Sequence, residues 1–163
     1  MKNLIKNSMI ALIVSIGLMA CSKDDNNAQN NDNGTSADRV ITTAQSGSWR
    51  ITYFFDTDEE ETSNFAGYVF NFNTDGTLVA TKGTTTVSGT WSVMDDSSNS
   101  SSDDDGNSTD DDDFIIFFNV PQSSDFEDLN DDWDIISVTA NKIELIDVSG
   151  GNGGTDLLTF EKN

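Results

Sequence analysis

The sequence predicts an all-β domain folded as an eight-stranded up-and-down antiparallel barrel, and three observations predict it. From Gly47 onward, apolar residues alternate with polar ones in short runs, the period of a half-buried strand. The runs are separated by hairpin-length links of Asn, Asp, Gly and Thr. No long stretch of helical periodicity intervenes to carry a crossover, so neighbouring strands run antiparallel. Closing such a meander removes its exposed edges. A β-sandwich of the same strands is the alternative, because alternation does not distinguish closure from stacking.

Each element follows from local pattern. Trp49, Ile51, Tyr53 and Phe55 share one face of a first strand, opposite Arg50 and Thr52. Asp56 to Glu61 is an acidic connection. Tyr68, Phe70 and Phe72 share a face of the second strand, and Asn73-Thr74-Asp75-Gly76 is a hairpin turn with Gly76 free to take positive φ. Thr77 to Lys82 is the third strand. Thr84 to Met94 is the fourth, with Val87, Trp91 and Val93 opposite Thr86, Ser88, Thr90 and Ser92. Phe114 to Val120 is apolar on both faces and makes the fifth. Ser124-Asp125-Phe126-Glu127 fits a capping box, which predicts one short helix to about Asn130 between strands five and six. Trp133 to Ala140, Lys142 to Val148 and Asp156 to Glu161 complete the eight. Asn141 suits a tight turn, and Ser149 to Gly154 a looser loop.

Composition closes several function classes. Eight Lys and Arg against 29 Asp and Glu give a formal charge of −21 over 163 residues. Lys2 and Lys6 stand in the first 20 residues, which hold no acid, so the remainder carries −23. That charge repels nucleic acid and anionic membrane surfaces and favours cations and basic partners. The chain has no histidine and one cysteine. Ser-His and Cys-His nucleophiles, histidine-ligated zinc and an intramolecular disulfide are therefore unavailable. Paired carboxylates are the remaining route to catalysis, and nearly all of them fall in stretches that read as wet loops, with Glu144 and Asp147 facing solvent from a strand. The expectation is a monomeric protein that is not an enzyme and has no cofactor.

The N-terminus has a basic head at Lys2 and Lys6 and an apolar run from Met9 to Ala20, shorter than the roughly 20 residues that span a bilayer. These are the parts of a signal peptide over residues 1–20. Leu18-Met19-Ala20-Cys21 resembles the lipobox of bacterial lipoproteins, which implies that Cys21 takes a diacylglycerol, is acylated, and becomes the new N-terminus. More than one acyl chain gives stable membrane attachment. Ser22-Lys23-Asp24-Asp25 resembles the short charged signal that sends lipoproteins of the Bacteroidetes phylum to the cell surface. The resemblance implies an outer-membrane lipid anchor with surface display; a periplasm-facing anchor is the alternative. Residues 21–45, rich in Asn, Asp and Ser, read as a disordered acidic tether, and 46–163 as the barrel domain.

Gly47-Ser48-Trp49 resembles the Gly-x-Trp signature of lipocalins. With Asp75-Gly76-Thr77 and a second Gly-x-Trp at Gly89-Thr90-Trp91, the stretch from Gly47 to Lys162 resembles the lipocalin-like lipoproteins of Bacteroidetes. In lipocalins the tryptophan closes one end of the barrel under a basic residue of the last strand; here that residue is Lys162. The resemblance implies a binding module for a small hydrophobic ligand. Trp49, Tyr53, Tyr68, Phe70, Trp91, Phe118 and Trp133 are the candidate pocket lining. The competing reading is a barrel that these rings fill, leaving a structural or protein-interaction module.

An acidic disordered insertion spans residues 95–113. Its Asp103, Asp105, Asp110 and Asp112 are the candidate Ca²⁺ ligands, since hard cations take oxygen donors on a turn. A solvated, self-repelling loop is the competing reading. Asp128, Asn130, Asp132 and Asp134 form a second oxygen-rich cluster.

Overall fold

The structure, a computed structural model, describes residues 36–95, 112–148 and 154–163. The signal peptide, Cys21 and the tether as far as residue 35 lie outside the described residues. So do residues 96–111 of the insertion and 149–153 of the last loop.

Helix α1 (Ser36–Gln45) precedes the strands β1 (Trp49–Asp56), β2 (Glu59–Glu60), β3 (Val69–Phe72), β4 (Thr77–Lys82), β5 (Thr85–Asp95), β6 (Asp112–Phe118), β7 (Asp131–Thr139), β8 (Lys142–Val148) and β9 (Thr155–Lys162). The sheet order is β2-β1-β3-β4-β5-β6-β7-β8-β9, and β1 also pairs with β9. Eight strands thus close into an antiparallel up-and-down barrel, with the two-residue β2 as a flap on β1. Closure rests on a six-pair β1–β9 ladder, from Trp49↔Lys162 to Phe55↔Leu157. The β1–β3 seam has one registered pair, Trp49↔Phe70. Beyond that pair the backbone of β1 is satisfied by the following segment: Thr62 Oγ1 accepts from Phe54 N at 2.8 Å, and Glu61 N donates to Phe54 O at 2.9 Å.

The structure corrects three sequence expectations. A register shift between Ile51 and Tyr53 breaks the alternation of β1. It turns Phe54 inward, fully buried, and leaves Tyr53 and Phe55 on the outer wall. A bulge inserts one residue and flips every side chain beyond it. The helix between the fifth and sixth barrel strands is absent. Residues 121–130 form successive turns, Ser124 N to Pro121 O, Glu127 N to Ser124 O and Asn130 N to Glu127 O, which do not propagate. Ser124 Oγ accepts from Phe126 N at 3.3 Å, while Glu127 N donates to Ser124 O, so the capping-box bond from Glu127 N to the serine hydroxyl does not form. Phe126 and Leu129 are buried, and the Asn130 amide is held by the Phe118 backbone, so tertiary contacts hold the segment open. Among the described residues the one α-helix lies instead at Ser36–Gln45, where the tether was expected to end. Ala37, Val40 and Ala44 on its inner face are buried, and Val40 with Ile41 is the apolar pair that breaks the polar tract.

Because the strands alternate in direction, the β3–β4, β5–β6 and β7–β8 links share one end of the barrel with the start of β1 and the end of β9. Helix α1 packs at that end against β3, β5 and β7. The opposite end, the mouth, carries the β1–β3, β4–β5, β6–β7 and β8–β9 links.

Candidate functional site

The barrel interior and its mouth are where a small ligand or a cation would be held, and the sequence explains how each is built. Alternation brings Trp49, Phe54, Phe70, Phe72, Leu78, Trp91, Phe114, Ile116, Phe118, Trp133, Leu158 and Phe160 inward, all buried. Their rings form an unbroken path across the barrel. It runs from Trp133 to Phe54 (6.4 Å), Phe65 (5.5 Å), Phe70 (6.5 Å), Phe160 (5.5 Å), Phe72 (5.4 Å), Phe114 (5.5 Å) and Trp91 (5.8 Å). Most contacts are edge-to-face, the geometry the ring quadrupole favours.

Both ends are stoppered. At the closed end Trp49 Nε1 donates to Ala44 O at 2.8 Å, tying α1 to the floor. Lys162 Nζ stands 5.3 Å from the Trp49 ring centroid and donates to Ser46 Oγ at 2.8 Å. At the mouth, Phe65 from a 3-10 turn (Thr62–Phe65) and Phe126 from the 121–130 segment meet edge-to-face at 5.5 Å. Phe126 also meets Tyr68 and Phe118, each at 5.0 Å. All three indoles tie a connection to the wall: Trp91 Nε1 donates to Asn73 O at 3.0 Å and Trp133 Nε1 to Leu129 O at 3.2 Å.

The predicted lining residues are thereby placed. Trp49, Phe70, Trp91, Phe118 and Trp133 are interior; the last four pack ring to ring, and Trp49 lies beneath Lys162. Tyr68 is half-buried at the mouth, with Lys82 Nζ 5.2 Å from its centroid. Tyr53 is on the outer wall.

Around the stopper the mouth is acidic. Asp131, Asp147 and Asp156 share the inward parity of Trp133, Leu145 and Leu158 but lie one step beyond them, and Asp147 and Asp156 are a registered cross-strand pair. A carboxylate oxygen of each of the three lies within 4.8 Å of the others. Asp56, Glu61 and Asp128 form a second such set. Burial, with Asp147 and Asp132 adding repulsion, pushes Asp131 up to about 6. Burial first, then neighbouring carboxylates including Asp56, raises both Glu61 and Asp128. Asp156 Oδ1 accepts from Thr57 N at 2.6 Å.

Among the described residues, these two sets are where a hard cation could be held. Asp103, Asp105 and Asp110 lie outside the described residues, and Asp112 is buried in β6 on the side of Phe114. Of the second oxygen-rich cluster, Asp128 enters a set, Asn130 is occupied by the Phe118 backbone, and Asp132 and Asp134 are exposed on β7. Sequence reasoning missed both sets and placed Asp147 in solvent. The available signal was parity: an acid two positions beyond an inward residue at a strand end points into the mouth. Glu144 instead bonds Lys142 Nζ at 2.7 Å and accepts from Ser137.

The chain is therefore an all-β protein with a closed eight-stranded antiparallel barrel, packed with rings and rimmed with carboxylates. No protein-family model matches the sequence, and no curated protein matches it. Among solved structures, it is similar to a crystal structure of a DUF4847 family protein from Bacteroides vulgatus. The two share 17% identity over 76% of this chain and 97% of that one, with a TM-score of 0.45.

Proposed function

We propose that this protein is a lipid-anchored lipoprotein of the outer membrane, displayed at the cell surface, whose barrel is a solid, non-catalytic module that works through its outer surface. The observation that carries the solid-module reading is the unbroken ring path from Trp133 to Trp91, closed by Trp49 with α1 at one end and by Phe65 with Phe126 at the other. A carrier needs interior space, and here the side chains that would line it touch one another instead. The resemblance to lipocalins supports the architecture through Trp49 under Lys162, while the filled interior argues against carriage of a small apolar ligand.

Anchoring rests on the signal peptide and Cys21 alone. Palmitate labelling of the expressed full chain tests it: Cys21 is labelled and Cys21→Ser abolishes the label. Surface display predicts that protease added to intact cells removes the domain. Titration with cis-parinaric acid tests the solid barrel. The expected result is no saturable binding, and a saturating one-to-one curve refutes it.

A further inference from the structure

The outer wall of β5, β6 and β7 differs from the rest of the barrel. It displays two large apolar side chains to solvent, Met94 at 56% and Phe117 at 51% exposure. Ile136, at the register shift of β7, instead borders a hollow with Ser36, Arg39 and Thr43 of α1. The register sets Met94 and Phe117 among acids. Met94 pairs with Asp113, and Asp113 with Asp134, so one row reads Met94–Asp113–Asp134. The next row reads Ser92–Ile115–Asp132, and Phe117 follows Ile115 on the same side. Asp113 and Asp134 stand directly opposite each other, which makes this row acidic across two strands. None of these three strands contains a lysine or arginine. The adjoining outer face of β4 and β5 has a different character, with Thr77, Thr81, Thr86, Ser88 and Thr90.

We propose that this wall is a docking face for a protein partner whose surface interleaves apolar side chains with lysine or arginine. The inference rests on the reading of the barrel as a solid module and names its working surface. Exposed Met and aromatic side chains grouped on one wall are what interface centres carry. The flanking carboxylates select the sign of the partner. Two copies of this chain would bring like-charged walls together at a net −21 per chain, which opposes self-association. An anionic lipid surface is repelled for the same reason.

Charge complementarity alone would draw a cation to the acidic mouth, so the test separates the two locations. The full chain, methyl-labelled at Met and Ile, is titrated with a synthetic peptide alternating Lys and Leu and with one alternating Lys and Ser. The expected result is saturable shifts at Met94 and Ile115 with the first peptide and weaker binding of the second. Phe117→Ser should weaken binding by at least about fivefold, the scale of one interface anchor, with unchanged melting. Asp113→Asn and Asp134→Asn should each weaken it too. Equal binding of both peptides, retention of affinity in Phe117→Ser, or shifts seen only in residues next to the mouth would each overturn the proposal. A dimer in sedimentation that Phe117→Ser dissolves would overturn it in favour of a second copy. The solid-barrel reading fails separately: a fatty acid that shifts the interior Ile116 and Ile143 methyls refutes that reading and leaves the face untouched.

Discussion

If Phe126 stoppers the barrel, its truncation to alanine must cost stability and open space at once. The ring is 6% exposed and meets Phe65 at 5.5 Å, Tyr68 and Phe118 at 5.0 Å, and Phe70 at 6.2 Å. Truncating a buried phenylalanine costs about 3–5 kcal/mol, the sum of lost transfer and the cavity left behind. Phe126 sits on a segment of turns that can partly collapse, so the low end, about 3 kcal/mol, applies. For a domain of this size that lowers the melting temperature by roughly 12 °C. The remaining space is lined by Phe65, Tyr68, Phe70 and Phe118, and an apolar cavity of this kind takes up benzene. Calorimetry of Phe126→Ala, with and without benzene, should therefore show a large drop that benzene partly restores, while the parent ignores benzene. Phe117→Ala, which trims an exposed ring, is the control and should cost under about 0.5 kcal/mol. If Phe126→Ala melts within about 4 °C of the parent, or both variants melt alike, the stopper argument is wrong.

Other perturbations probe other parts. A Cβ on Gly89 would lie 2.4 Å from Phe117 O and 2.7 Å from the Phe118 ring, and a strand carbonyl cannot retreat as a flexible side chain can. Gly89→Ala should thus cost about 1–3 kcal/mol in urea unfolding; an unchanged midpoint would refute the close approach. Trp49→Phe keeps an aromatic ring but removes the donor to Ala44 O and part of the indole's buried volume, so a loss of at least about 1–3 kcal/mol with an unchanged m-value is expected. A loss within error would show that α1 is not held there.

The mouth sets a pH dependence. Asp131, raised from 3.8 to about 6, binds its proton more tightly folded than unfolded. Its favourable contribution is therefore complete below about pH 4 and lost as pH rises through about 6. Asp131 is only half-buried, and solvent screening reduces the effect to about 1 kcal/mol. Asp131→Asn should melt higher than the parent at pH 8 and gain nothing at pH 4. An equal difference at both pH values would show that the carboxylate does not titrate between them.

Much of the strand plan was legible because alternation needs only near neighbours. Lys142–Val148 and Thr77–Lys82 have the bounds that the pattern implied, and Gly76 adopts the positive φ its hairpin requires. Tyr53 was not legible. The bulge after Ile51 answers to the register of β9, which lies about a hundred residues away in the chain. The turns at 121–130 are set in the same way, by Phe126 and Leu129 reaching the core and by Asn130 on the Phe118 backbone, contacts that override a local helix signal.

The carboxylate sets show where the division falls. Sequence alone determined the charge, the absence of histidine, the single cysteine, the all-β pattern and the supply of rings, because these depend on residue type and on spacing along the chain. Which rings meet, and that Phe65 and Phe126 close the mouth between them, only the tertiary structure decided. It also brought Asp131, Asp147 and Asp156 to one rim from three strands. Closure of the barrel through β1 and β9 sets distances between residues far apart in sequence, and a one-dimensional pattern contains no term for them.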